Sequence, residues 1–88
     1  IMPDAALAAG AFVVATGRSD FPNQINNALV FPGLFKGALK NKVQSISDKM
    51  KIKAAQNLAK MVKNPKKNKI ISGVFEAGVA DAVAKAIK

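Results

Sequence analysis

One stretch of this sequence reads as a β-strand, Ala11-Phe12-Val13-Val14-Ala15, and a single strand cannot make a sheet. The run is short, continuous and apolar, between Gly10 and Thr16-Gly17. That pattern suits a strand covered on both faces, as in a parallel sheet, better than an alternating strand with one wet face. The other apolar patterns repeat at three and four residues. The expected architecture is therefore α/β in type but incomplete, one buried strand followed by about three helices, and the chain is expected to be a segment of a longer one. An opening on Ile1, with Met2 second, agrees with that expectation.

The helical segments are marked by local chemistry. Pro3 and Asp4 can open a short turn over 5–9, which Gly10 would close in the left-handed conformation. Pro32 suits a first helical position, with Phe31, Leu34, Phe35, Ala38 and Leu39 on one stripe. Gly33 and Gly37, four apart, lower helix propensity but admit the backbone of a neighbour. A second helix is expected from about Asp48 to Lys63, capped by Ser47, or by Ser45 with Asp48 three residues on. Its apolar side would be Met50, Ala54, Leu58 and Met61, and its solvated side Lys49, Lys53, Lys60 and Lys63, until Asn64-Pro65 stops it. Residues 65–69 read as a charged linker, and Val79, Val83, Ala86 and Ile87 as the stripe of a last helix.

Composition removes several functions. Cysteine, histidine, tryptophan and tyrosine are all absent, so the chain has no disulfide, no thiolate or imidazole metal ligand, no histidine base and no phenolic acid. Half the residues are apolar, which argues for folding in spite of a net charge of +9. The longest charge-free stretches, 5–17 and 21–35, are 13 and 15 residues, short of the roughly 18 that a membrane span needs. Only Asp4 precedes the first of them, where a secretory signal would carry basic residues. A soluble, cytoplasmic protein is expected.

The charge is unevenly placed. Residues 1–35 hold Arg18 against Asp4 and Asp20, whereas residues 36–88 hold thirteen lysines against Asp48, Glu76 and Asp81. A basic nucleic-acid-binding module and a cationic amphipathic helix lying on a membrane surface are the alternatives this suggests. Both are poorly equipped: no aromatic residue lies between Phe35 and Phe75, and the cations are lysines rather than arginines.

The densest polar information lies in Thr16-Gly17-Arg18-Ser19-Asp20-Phe21-Pro22-Asn23-Gln24-Ile25-Asn26-Asn27. Neutral amides donate and accept hydrogen bonds without titrating near neutral pH, which suits holding a carboxylate or hydroxyl better than moving a proton. Turn chemistry is the bland alternative, since asparagine and aspartate are common where a backbone turns. Arg18 could contact a phosphate or carboxylate, or simply pair with Asp20.

This loop, with the Phe31-Pro32-Gly33-Leu34-Phe35-Lys36-Gly37-Ala38-Leu39 run that follows, resembles the signature near the carboxyl end of the NAD(P)-binding domain of malic enzymes, particularly the prokaryotic type. The resemblance continues more loosely through Ile46–Lys51 to the final Val-Ala-Asp-Ala-Val-Ala run. It implies the C-terminal part of a Rossmann-like domain, 1–45 ending that domain with a substrate loop at 16–27, and 46–88 forming a helical C-terminal part. It also implies oxidative decarboxylation of malate to pyruvate and carbon dioxide with NAD or NADP and a divalent metal, Mg or Mn. By the same resemblance Asn26 and Asn27 face the substrate, and Thr16, Gly17 and Asn26 line the cofactor's site. The family's tyrosine acid, lysine base and three acidic metal ligands have no counterpart here, so no catalytic or metal-binding residue is expected in this segment. The rest of the subunit, and assembly into a homodimer or larger oligomer, are the implied partners, with no nucleic acid or membrane.

Overall fold

The computed structural model describes residues 1–73 and 76–88. In chain order they form α1 (Pro3–Ala8), a 3-10 turn (Asn27–Leu29), α2 (Phe31–Asn41), α3 (Asp48–Lys60) and α4 (Val79–Ala84). Proline begins α1, Asp4 sits in its first turn, and Gly10, at φ 109°, lets the chain leave in a conformation that a Cβ would resist.

The segment 11–15 does not form the expected buried strand. Among the described residues it has no ladder, and Phe12 is 63% exposed. The reason is the one its solitude suggests: a strand needs partner strands to satisfy its amides and cover its faces, and no second strand exists among the described residues to supply them. Sheet-like pairing among the described residues is limited to two isolated bridges, parallel between Thr16 and Gln24 and antiparallel between Lys66 and Lys69.

The core is helical and is formed by residues between 29 and 87. Leu29, Ala54, Leu58, Val79, Val83, Ala86 and Ile87 make one buried cluster, with Leu34, Ala38, Met50 and Met61 packed against it. α2 meets α4 through its glycines, the close approach that Gly33 and Gly37 admit, while Leu34 and Ala38 of its apolar stripe pack against the cluster. A Cβ on Gly33 would lie 2.5 Å from Val83 Cβ and 2.7 Å from the Ala80 carbonyl oxygen. On Gly37 it would lie 2.7 Å from the Ala84 oxygen and 2.8 Å from Ile87 Cβ. The approach is so close that α4 occupies the glycine face, which turns Phe31, Phe35 and Leu39 outward, Leu39 to 82% exposure.

α3 begins as its sequence directs. Ser47 is the N-cap, its Oγ accepting from the Met50 N–H at 3.2 Å. Ser47→Ala is expected to destabilise α3 by about 1 kcal/mol, read as a lowered urea midpoint with unchanged slope. The helix ends at Lys60, three residues before Lys63, because the Met61 and Val62 N–H groups bond to the Leu58 and Ala59 carbonyls and tighten the last turn. Ala54 and Leu58 are buried, and Lys49, Lys53, Lys60 and Lys63 are exposed, as the periodicity predicts.

The charged stretch after Pro65 is not a free linker. Lys66 and Lys69 exchange backbone hydrogen bonds of 3.1 and 3.0 Å across a two-residue turn. α4, only six residues long, starts at Gly78 with φ 88° and buries Val83 completely, with Ile87 just beyond it. Two asparagines satisfy carbonyls at its end, Asn57 Nδ2 donating to Ala82 at 2.9 Å and Asn41 Nδ2 to Ile87 at 2.7 Å. Lys36 on α2 pairs with Asp81 on α4 at the surface. The molecule is long, 47 × 23 × 21 Å, with a radius of gyration of 14.5 Å, where a compact domain of this size would have about 12 Å.

Candidate functional site

Residues 16–27 fold back on themselves to present a small polar knob ahead of α2. Thr16 fastens both ends: its N–H donates to the Asn23 carbonyl at 3.2 Å, and its own carbonyl accepts from the Ile25 N–H at 2.8 Å. Gln24 Nε2 donates to the Gly17 carbonyl at 3.2 Å, and Thr16 Oγ1 accepts from the Arg18 N–H at 3.4 Å. A Cβ on Gly17 would meet only the Ile25 oxygen, at 3.8 Å, so one side of that backbone stands open to a ligand's approach.

The arginine is spent on its neighbour. Arg18 Nε and an Nη donate to the two Asp20 carboxylate oxygens at 2.9 and 2.7 Å, and its guanidinium lies 5.3 Å from the Phe21 ring centroid. Hydrogen bonding to Arg18 holds the Asp20 carboxyl below the ordinary carboxylate range, and both groups face solvent. Of the two readings of Arg18, the ion pair is the one observed.

Asn26 and Asn27 are exposed at the start of the 3-10 turn. Asn26 Oδ1 accepts from the Ala28 N–H at 3.0 Å, which caps that turn and aims the rest of the side chain. Among the described residues, Asn26 Nδ2 and the whole Asn27 carboxamide have no hydrogen-bond partner, so two NH₂ groups and one carbonyl oxygen are available to a ligand. Thr16, Gly17, Asn26 and Asn27 thus lie in or beside one knob.

Sequence reading did not single out Asn23, whose side chain ties the loop to the segments around Val14 and Lys67–Ile70. It is 7% exposed, at φ 59°, in the left-handed region that asparagine tolerates better than most residues. Its Nδ2 donates to the Val14 carbonyl at 3.0 Å and to the Lys67 carbonyl at 2.8 Å, while its Oδ1 accepts from the Ile70 N–H at 2.9 Å. The one local signal for it was an asparagine after Pro22 in a polar turn.

Among the described residues no three acidic, histidine or cysteine side chains group closely enough to hold a metal ion. Lys69 is engaged by Glu76, whose carboxyl its hydrogen bond lowers, and Asp81 is lowered in the same way by Lys36. No helix among the described residues is long and apolar enough to cross a membrane.

Comparison with known proteins gives one consistent result. A family model described as the NAD binding domain of malic enzyme matches residues 5–87. The bifunctional malic/malolactic enzyme of Bacillus subtilis (strain 168) is 49% identical over 89 residues, covering 99% of this chain and 22% of its own length. The NAD-dependent malic enzyme of Geobacillus stearothermophilus is 47% identical over 77 residues, 85% of this chain and 16% of its own. Among solved structures, the malic enzyme of Pyrococcus horikoshii Ot3 superimposes with a TM-score of 0.94 at 47% identity, over 99% of this chain and 20% of that one. The chain therefore spans between 16% and 22% of the length of these three relatives.

Proposed function

The chain belongs to the malic enzyme family, as a segment of its Rossmann-like NAD-binding domain, and from that premise we propose that it supplies the loop that holds malate against the nicotinamide. The observation that carries the reading is the exposed pair Asn26 and Asn27, whose Asn26 Nδ2 and Asn27 carboxamide have no hydrogen-bond partner among the described residues, on a loop fastened by Thr16. Such amides can donate to a malate carboxylate or its C2 hydroxyl and keep the C2 hydrogen directed at the ring, a positional contribution of several kcal/mol at most. When bound, NAD or NADP supplies the hydride acceptor. The open side of Gly17 and the free Asn26 Nδ2 fit the approach of that cofactor, and Thr16 keeps both in register.

Other parts of the reaction belong elsewhere in the subunit. With no acidic cluster among the described residues, we assign the divalent metal, Mg or Mn, to residues outside this segment. The same holds for the acid and base, since tyrosine is absent and the described lysines lie outside the loop. We also propose that the segment 11–15 becomes a buried strand when strands of the remaining subunit flank it, which would cover Phe12 and Val13. A cytoplasmic homo-oligomer completes the reading. The nucleic-acid and membrane-surface alternatives have no support, because the relatives found are malic enzymes along this same segment.

The test compares two purified proteins. The full-length enzyme should reduce NAD or NADP in proportion to added malate and release pyruvate and carbon dioxide in equal amount. The 88-residue chain alone should give no malate-dependent absorbance at 340 nm. Turnover by the isolated chain would overturn the division of labour proposed here.

A further inference from the structure

We infer that Asn23 is a positioning residue for malate, and that the hairpin at Lys66–Lys69 acts on the reaction through it. The inference rests on the reading of Asn26 and Asn27 as substrate-facing, and adds what holds them there. One nearly buried carboxamide ties three pieces of chain: the end of the 11–15 segment through the Val14 carbonyl, the hairpin turn through the Lys67 carbonyl, and the exit of that turn through the Ile70 N–H. All three bonds lie between 2.8 and 3.0 Å. They use both Nδ2 hydrogens and a lone pair of Oδ1, so this amide is committed to the fold rather than open to a ligand.

The geometry connects this clamp to the exposed pair by a short route. The Asn23 backbone carbonyl accepts from the Thr16 N–H, and the Thr16 carbonyl accepts from the Ile25 N–H, the residue just before Asn26. A shift of Asn23 therefore moves Thr16 and Ile25 together, and with them the origin of the Asn26 and Asn27 side chains. The hairpin that anchors it is itself closed by two backbone bonds between Lys66 and Lys69 and covered by Lys67 Nζ lying 4.4 Å from the Phe12 ring centroid. A stretch that composition marks as a basic linker is thus a buttress behind the substrate loop.

The experiment is a double-mutant cycle on the full-length enzyme with Asn23→Gly and Asn27→Ala. Glycine keeps the left-handed backbone at position 23 and removes only the amide. Displacement of the loop by an ångström can lower the rate by about a hundredfold, so Asn23→Gly should reduce kcat/KM for malate at least tenfold while the KM for dinucleotide stays within about twofold. In the Asn27→Ala background the same change should have a smaller effect than in the wild type, because one of the two groups it positions is already gone. Multiplicative losses, or no loss in Asn23→Gly where Asn27→Ala has one, would overturn the inference and leave the substrate reading standing. No loss in either single variant would overturn the substrate reading itself. Should Asn23→Gly fail to fold, one glycine inserted between Lys67 and Asn68 withdraws the Lys67 carbonyl with Asn23 intact. It is expected to give the same malate-selective, non-multiplicative loss, and normal malate kinetics in that variant would contradict the buttress.

Discussion

Gly33→Ala is expected to loosen the α2–α4 contact, and Gly37→Ala to do the same at its other end. Alanine normally stabilises a helix relative to glycine by about 0.5–1 kcal/mol, so on propensity alone both changes would help. Packing reverses the sign. The new methyl at position 33 would stand 2.5 Å from Val83 Cβ and 2.7 Å from the Ala80 carbonyl oxygen, and at position 37 2.7 Å from the Ala84 oxygen. Main-chain oxygens cannot rotate away, so the helices must separate. Overpacking of this kind destabilises by about 1–3 kcal/mol, sometimes more, and here it also opens the contacts of Val83 and Ile87, both fully buried. We expect a net loss of about 2 kcal/mol for either variant, read in the full-length enzyme as amide exchange about tenfold or more faster across 31–41 and 79–87. Exchange that is unchanged or slower would mean that the two helices do not rest on these glycines.

Asn27→Ala is expected to lower kcat/KM for malate by about 10- to 150-fold, the equivalent of losing a hydrogen bond to a charged group of about 1.5–3 kcal/mol. The KM for dinucleotide should stay within about twofold. Asn27 is the informative position because it has no structural partner among the described residues, whereas Asn26 also caps the 3-10 turn through Ala28. Asn26→Ala therefore combines loss of a ligand contact with loss of a cap. Asn27→Asp should be worse than Asn27→Ala, since a carboxylate would face the carboxylates of malate. Equal losses in malate and dinucleotide binding would reassign the loop to the cofactor.

What could be read from the sequence was what depends on neighbours in sequence. Pro3, Gly10, Pro32 and Ser47 are each placed by the few residues around them, and each does in the structure what its local chemistry requires. The α3 and α4 stripes were legible for the same reason. The face of α2 was not. Its apolar stripe and its glycine pair both offered a packing surface, and only the partner, a short helix able to lie against bare backbone, decides that Phe31, Phe35 and Leu39 stay outside. The apolar pattern at 11–15 was legible, but among the described residues it has no strand to pair with. Asn23 was hidden for a further reason: two of its three bonds reach residues 44 and 47 positions away, a pairing that no local rule contains. The Asn26-Asn27 pair stood out as a motif, and the structure adds their exposure and the Ala28 cap.

The most direct test of the account is a crystal structure of the full-length enzyme with malate, or a non-reacting dicarboxylate in its place, and dinucleotide bound. The account predicts that Asn27 Nδ2, Asn26 Nδ2 or both lie about 2.7–3.2 Å from a carboxylate or C2 hydroxyl oxygen of the diacid, with the Gly17 backbone against the cofactor. A diacid bound with no polar atom of either asparagine within hydrogen-bond reach would contradict it.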